Sequence, residues 1–460
     1  MRAQSWKPIT YAAAVCLALT SSTVSQTVKD LVAFSGANNL TYPGSTPVQG
    51  RDGKFYSTIN GGGNAGSIFD FTASGAHSVV YALDFTNGWN PFGMVLGTDG
   101  SFYGITANGG SLSYGVLFKV TSSGAYSVLH NFTGGTDGTG PTGTPIEASD
   151  GNFYGTTNGG CCHVSTVYKY TRSGVFSTIY TYDSAHGTNA TSILQGSDGD
   201  LYVIAGFGGA YGNGTIVQLT TAGKLLSYYS FPGGSAGGGF PIGMTQASDG
   251  NYYGTTYQGG VAQQGGIGTI FRYTPKTGAT VIYTYEPQQK DGGGFPSSGL
   301  TQGTDGWLYG VTLAGGTDGY GTVFRINMAG TYQQLYSFTS AVGQAPDANL
   351  LQATSGLFYG AAQNGGPYGY GAMFSLNMGL GPFITFVQPT GKVGQAVQIL
   401  GQGLKGTTSV TFNGIAATSF TVVNDTYMTA VAPTGATTGP VVVTTPSGAL
   451  TSNVSFRIIN

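Results

Sequence analysis

A short pattern, Asp-Gly-x-aromatic or Leu-Tyr, begins at Asp52, Asp99, Asp150, Asp198, Asp249 and Asp305, and a worn copy begins at Ser355. Successive copies stand 47 to 56 residues apart, which is the period of one small antiparallel sheet per repeat. A sheet of that size cannot bury both of its faces alone and must stack on its neighbours. Seven units of this kind predict an all-β chain with a seven-bladed propeller.

Each unit contains four β-compatible runs, clearest in GLTQGT, WLYGVT, GTVFRIN and TYQQLYSF between Gly299 and Phe338. The Asp-Gly between the first two runs reads as the two-residue hairpin turn that strand twist favours, with Gly tolerating positive φ. A Gly-Gly loop follows the second run, and a Gly/Pro loop leads from the fourth run to the next unit. The fourth run is present after units one to six and missing after GAMFSLN at 371–377. An orphan run, VKDLVAF at Val28–Phe34, precedes the first Asp-Gly. It predicts ring closure by the two ends, which leaves no open sheet edge.

Charged residues make up 7% of the 460 and the net charge is -2, whereas an ordinary domain has about 25% charged residues. No Lys/Arg cluster exists to release counterions from nucleic acid or to hold anionic lipid, so neither is an expected partner. The start of the chain, MRAQSWKP followed by ITYAAAVCLALT and small residues to Ser25, reads as a secretory signal peptide over 1–25. The competing reading is a lipoprotein anchor at Cys16, with Val15 standing where a small residue belongs. No later run reaches the ~20 apolar residues of a membrane span, so the mature chain is expected to be secreted or held at the cell surface. Past Gly379 the repeat stops, and residues 380–460 show short alternating runs in the rhythm of an immunoglobulin-like β-sandwich.

The motifs DGNFYGTTNGG, GGTDGYGTVFRI and LYSF resemble the GloVer tandem repeat of bacterial "choice-of-anchor" surface proteins, over residues 26–379. The stretches GKVGQAVQILGQGL, VTFNG and VAPTGATTGPVVVTTPSG resemble an IPT/TIG domain. The resemblance implies an exported protein, brings no catalytic residues or cofactor, and lacks a recognisable sorting signal in this chain.

The Gly-Gly and Gly/Pro loops emerge on one face of the ring and the Asp-Gly turns on the other. The loop face would display Trp89, Tyr114, Tyr211, Tyr320, Tyr368 and Tyr370, rings suited to the apolar face of a sugar. The alternative is that such rings pack their own loops. Asp137, Asp183, Glu286, Asp291 and Asp318 fall in the same loops, but no spacing pairs them as a hydrolytic acid and base. Nucleophile-elbow, zinc-helix, phosphate-loop and EF-hand patterns are missing. No cofactor or metal is therefore expected. Cys161 and Cys162 adjoin His163, with Asp183 and His186 in the next loop. A vicinal disulfide, a Cys/His metal site and free thiols are the three readings, the first suited to an oxidising compartment. Together these features predict an exported non-enzymatic protein that binds extracellular polysaccharide or another cell-surface component. A structural spacer and a polysaccharide-active enzyme are the alternatives.

Overall fold

A computed structural model describes residues 26–37, 40–61, 63–159, 164–260, 266–286 and 292–459. The expected signal segment and the Cys161–Cys162 pair lie outside the described residues. None of the described helices is long and apolar enough to cross a membrane.

Among the described residues, 27–377 form seven antiparallel sheets of four or five strands. In the second sheet these are Trp89–Leu96, Phe102–Asn108, Val116–Val120 and Tyr126–Asn131. Burial explains their composition. Second strands such as Phe55–Ile59 and Phe153–Thr157 are buried at every position, because neighbouring sheets cover both faces. Fourth strands such as Leu225–Ser230 alternate between exposed and half-buried positions, the pattern of an outer strand.

The repeat motif makes the junctions. Its Tyr packs on the aromatic residue of the next sheet: Tyr56 on Phe102 at 4.2 Å, Tyr103 on Phe153 at 3.9 Å, Tyr202 on Tyr252 at 4.5 Å and Tyr309 on Phe358 at 4.2 Å between centroids. Tyr154 shares a core with Leu201, and Tyr253 with Leu308. Tyr359 of the last sheet packs on Phe55 of the first at 4.2 Å, so the cycle closes. The orphan run closes it again through the backbone. Thr27–Ala33 pairs antiparallel with Ala372–Asn377, Val28 facing Leu376, with one irregularity between Asp30 and Val32.

The Asp-Gly turn is one residue longer than expected. Gly53 N donates to Gly50 O at 3.2 Å and Gly50 N to Lys54 O at 2.8 Å, which leaves Arg51, Asp52 and Gly53 as a three-residue loop. The glycine after each motif Asp, or after Ser355, has φ between 77° and 93°, so the turn ends on a left-handed glycine that forms a bulge. The Asp side chain selects this form, because Asp52 Oδ1 accepts from Lys54 N at 3.2 Å while Oδ2 accepts from Tyr56 Oη at 2.8 Å.

A second set of contacts clasps the turns. The residue ending a first strand reaches the Ser or Thr that precedes the motif Asp in the sheet before it. Gln302 Oε1 accepts from Ser248 N at 2.8 Å and its Nε2 donates to Ser248 Oγ at 3.1 Å. Gln49 with Thr354, Glu147 with Thr98, Gln195 with Ser149, Gln246 with Ser197 and Gln352 with Thr304 repeat the contact. One junction breaks the rule, where Arg51 replaces the hydroxyl residue and Leu96 the glutamine.

Residues 385–458 form two four-stranded sheets and a short parallel pair around their own core, which includes Ile399, Met428, Val443 and Phe456. This unit docks at the exceptional junction. Arg51 Nη2 donates to Gln398 Oε1 at 2.6 Å and the guanidinium lies 4.7 Å from the Tyr427 ring centre. Leu400 and Tyr427 enter the cluster that holds Leu96, and Gln388 Nε2 donates to Ala148 O at 2.5 Å. The C-terminal unit therefore covers part of the turn face and leaves the loop face to the repeats.

Candidate functional site

The first strand of each sheet starts with one backbone departure. Tyr42, Asn90, Asn189, Phe240, Phe295 and Ala345 have φ between 50° and 59°, and Gly140 has φ 53°. All but Asn189 precede proline. Left-handed backbone at a non-glycine residue costs on the order of 1 to 3 kcal/mol and persists only where its surroundings hold it. Here the holding groups are carbonyls of the preceding sheet's loop, with the Ser165 hydroxyl in that role for Asn189. Tyr42 N donates to Tyr370 O at 2.8 Å, Asn90 N to Ala65 O at 3.1 Å, Phe240 N to Asn213 O at 2.9 Å and Ala345 N to Tyr320 O at 3.0 Å.

Two of these residues, Tyr42 and Asn90, line a cavity of about 410 Å³ on the loop face, where the seventh, first and second sheets meet. Phe85, Trp89, Asn60, Gly63, Asn64, Gln363 and Asn364 complete its walls, and none of the lining residues is charged. Phe85 is 57% exposed and meets Trp89 edge to face at 5.9 Å. Asp84 builds the turn that presents Phe85. Its Oδ1 accepts from Thr86 N, Thr86 Oγ1 and Asn87 N at 2.6 to 2.8 Å, and these donors, the Thr86 hydroxyl foremost, hold its carboxyl below the usual range. Trp89 rests against Gly109, and Tyr42 packs edge to face with Tyr370 at 6.0 Å. Three rings and five amide side chains thus surround one uncharged cavity.

Trp89 is the one sequence-predicted ring in this wall. Tyr114 lies against Gly134 and Tyr370 against Gly36, while Tyr320 is half-buried against the core between the sixth and seventh sheets. Backbone bridges join Tyr114, Tyr320 and Tyr370 to Gly109, Gly315 and Gly365, so these three also serve their own loops. Tyr211 and Tyr368 stand out, at 63% and 61% exposure. Sequence reasoning missed Tyr42, Phe85, Asn60 and Asn90. The signal for two of them was the Tyr-Pro and Asn-Pro pair that opens a first strand.

The acids named from the sequence do not line the cavity. Asp137 Oδ2 meets His130 Nε2 at 3.0 Å and Oδ1 accepts from Thr133 Oγ1 at 2.5 Å. Asp183 Oδ1 accepts from His186 N at 2.9 Å and lies 2.7 Å from its Nδ1. Glu286 and Asp318 are exposed, and Asp291 lies outside the described residues. Among the described residues no group of three or more His, Cys, Asp or Glu side chains is placed to hold a metal ion.

A larger cavity of about 660 Å³ lies between the turn face and the C-terminal unit. Its polar wall includes Gln195, Gln246, Gln302, Ser197 and Ser248, groups already joined in the turn clasps, together with Glu147, Arg457 and polar residues of the C-terminal unit. The smaller loop-face cavity is the better candidate because three rings and five amides meet there with no charged lining residue.

The Gloeobacter/Verrucomicrobia repeat matches residues 11–195 and 190–423. The protein belongs to this repeat family. No curated protein matches the sequence. Among solved structures the repeat protein is similar to two extracellular domains from B. thetaiotaomicron. One, from the two-component system BT3049, has TM-score 0.52 and 10% identity over 93% of this chain and 57% of that one. The other, from BT4673, has TM-score 0.51 and 10% identity over 95% and 60%. A gluconolactonase from Xanthomonas campestris, XC5397, has TM-score 0.43 and 11% identity over 77% and 90%. The repeat protein spans less than two thirds of the two extracellular domains. The likeness to them shows a β-propeller fold and, at such identity, nothing more.

Proposed function

We propose that this repeat protein is an exported, non-enzymatic binding protein that recognises a neutral extracellular glycan in the loop-face cavity. The observation that carries the reading is the chemistry of the walls. Rings offer faces for the C–H surface of a sugar, amides offer both donors and acceptors for hydroxyls, and no lining charge favours an ionic ligand. Trp89 is the central contact, with Phe85 and Tyr42 beside it. Tyr370, packed on Tyr42, flanks the cavity, and Tyr114, Tyr211, Tyr320 and Tyr368 would extend the aromatic face. A docked C-terminal unit on the turn face directs ligand to the opposite mouth.

The architecture behind this reading has three parts: a signal segment over 1–25, a seven-bladed propeller over 26–379 and an IPT/TIG-type immunoglobulin-like domain over 380–460. Seven sheets in a closed cycle support the second part, and two four-stranded sheets around one core support the third. Export is supported by the leader-like sequence, and it places the cavity where polysaccharide is the abundant neutral polymer.

A glycan array probed with the chain lacking residues 1–25 tests the proposal. Binding to neutral oligosaccharides, lost in Trp89→Ala, is the expected result. Failure to bind any neutral glycan would leave the ring as a structural spacer.

A further inference from the structure

Asp347 departs from the internal logic of the repeat. In three other sheets the residue at its position, just after the first proline or its equivalent, carries a hydroxyl that donates across the junction. Thr142 Oγ1 donates to Ala190 O at 2.5 Å, Thr191 Oγ1 to Ile242 O at 3.3 Å and Ser297 Oγ to Pro346 O at 2.8 Å. An ionised carboxyl cannot donate. Among the described residues nothing hydrogen-bonds to Asp347 Oδ1, which is sealed from solvent, although the residue as a whole is half-buried. Burial pushes its carboxyl up to about 7, and no other charged group contributes to that shift.

The second oxygen points to a use. Asp347 Oδ2 and Asn60 Nδ2 lie 3.5 Å and 3.6 Å from the point that a β-carbon on Gly44 would occupy. Gly44 has no positive φ to require glycine, so its missing side chain leaves room between an acceptor and a donor. Asn60 also lines the loop-face cavity, whose only titratable lining residue is Tyr42. A hydroxyl is the group that accepts from an amide and donates to a carboxylate at once, whereas the amide N–H would repel a metal cation.

We propose that Asp347 and Asn60, meeting over Gly44 just beyond the cavity that Asn60 lines, determine specificity and grip one sugar hydroxyl between carboxylate and amide. This rests on the glycan reading above. The charge-assisted bond forms only to the ionised carboxyl and is about twice as strong as a neutral one. Ligand affinity therefore rises with pH as Asp347 ionises.

The test is calorimetric titration of cellohexaose, laminarihexaose, xylohexaose, mannohexaose and chitohexaose at pH 5 and pH 8. The wild-type chain should bind at least one of them about fivefold to tenfold more tightly at the higher pH. Asp347→Asn should abolish that difference and bind more weakly at pH 8. Gly44→Ala, whose methyl makes only ordinary contacts with both groups, should weaken binding at pH 8 and decides the matter if the first variant does not fold. Unchanged affinity and pH profile in these variants, with binding lost in Trp89→Ala, overturns the inference and leaves the glycan reading intact. Absence of wild-type binding to all five probes overturns both.

Discussion

Each repeat aspartate divides its two oxygens between a backbone amide two residues on and a tyrosine hydroxyl four residues on, and the same tyrosine ring packs on the next sheet. Asp99 shows the electrostatic result. Burial works against its ionisation, but Lys119, the Ser101 amide and the Tyr103 hydroxyl outweigh it and bring the carboxyl down to about 2. A carboxyl held below its unfolded value of about 3.9 stabilises the fold above that value and loses this contribution as pH falls toward 2. Asp99→Asn should therefore lower the urea midpoint at pH 7 and narrow its fall between pH 4 and pH 2, and Tyr103→Phe should cost about 1 kcal/mol at neutral pH. Asp347 has the opposite sign. Its raised value means stability is fully present below about pH 4 and lost as pH rises through about 7. Asp347→Asn should accordingly raise the midpoint at pH 8 while changing it little at pH 5. The turn role of the Asp-Gly pair was legible in the sequence because glycine marks the left-handed position. The tyrosine partnership was not, since nothing in a spacing of four residues around a turn says that hydroxyl and carboxylate meet.

At the scale of elements, strand bookkeeping was the strongest signal. Six complete sets of four runs, one short set and one spare run at the other end leave a single economical pairing, and Thr27–Ala33 makes it with Ala372–Asn377. Removal of 27–35 should expose that last strand as an edge and merge or lower the main thermal transition, a change readable by calorimetry. The glutamine clasps offer a smaller perturbation. Gln302→Ala removes three hydrogen bonds, two across a solvent-exposed junction and one to Gly306 O, and should cost about 1 kcal/mol, measured as a shift in urea midpoint without change in slope. The start of the first strands was hidden for a physical reason. Proline pushes the residue before it toward extended backbone, yet Tyr42, Asn90, Phe240, Phe295 and Ala345 are left-handed there. A long-range bond to the previous sheet's loop holds them, and no local rule reports such a bond. The walls of the cavity follow from that departure, which is why Trp89 was found and Tyr42 was not.

For the whole molecule, one broken clasp sets the arrangement of the two parts. Arg51 and Leu96 forgo the junction that the other sheets share, and the guanidinium, Tyr427 and Gln398 occupy the place instead. Arg51→Thr combined with Leu96→Gln should restore the clasp, keep the ring folded and free the C-terminal unit, so that limited proteolysis cuts near 380 faster than in the wild type. Composition foretold surfaces poor in charge but could not single out the cavity, since 55 Tyr and Phe residues serve junctions, loops and cavity alike. The central claim is that a neutral glycan binds through rings and amides in the loop-face cavity. Its most direct test is calorimetric titration of the tightest neutral oligosaccharide from the array into wild type and Trp89→Ala, at about 0.05 M and about 0.5 M salt. The account predicts wild-type affinity that changes by less than about twofold with salt, and binding at least about tenfold weaker in the variant. Affinity that survives Trp89→Ala, or that collapses as salt rises, would contradict it.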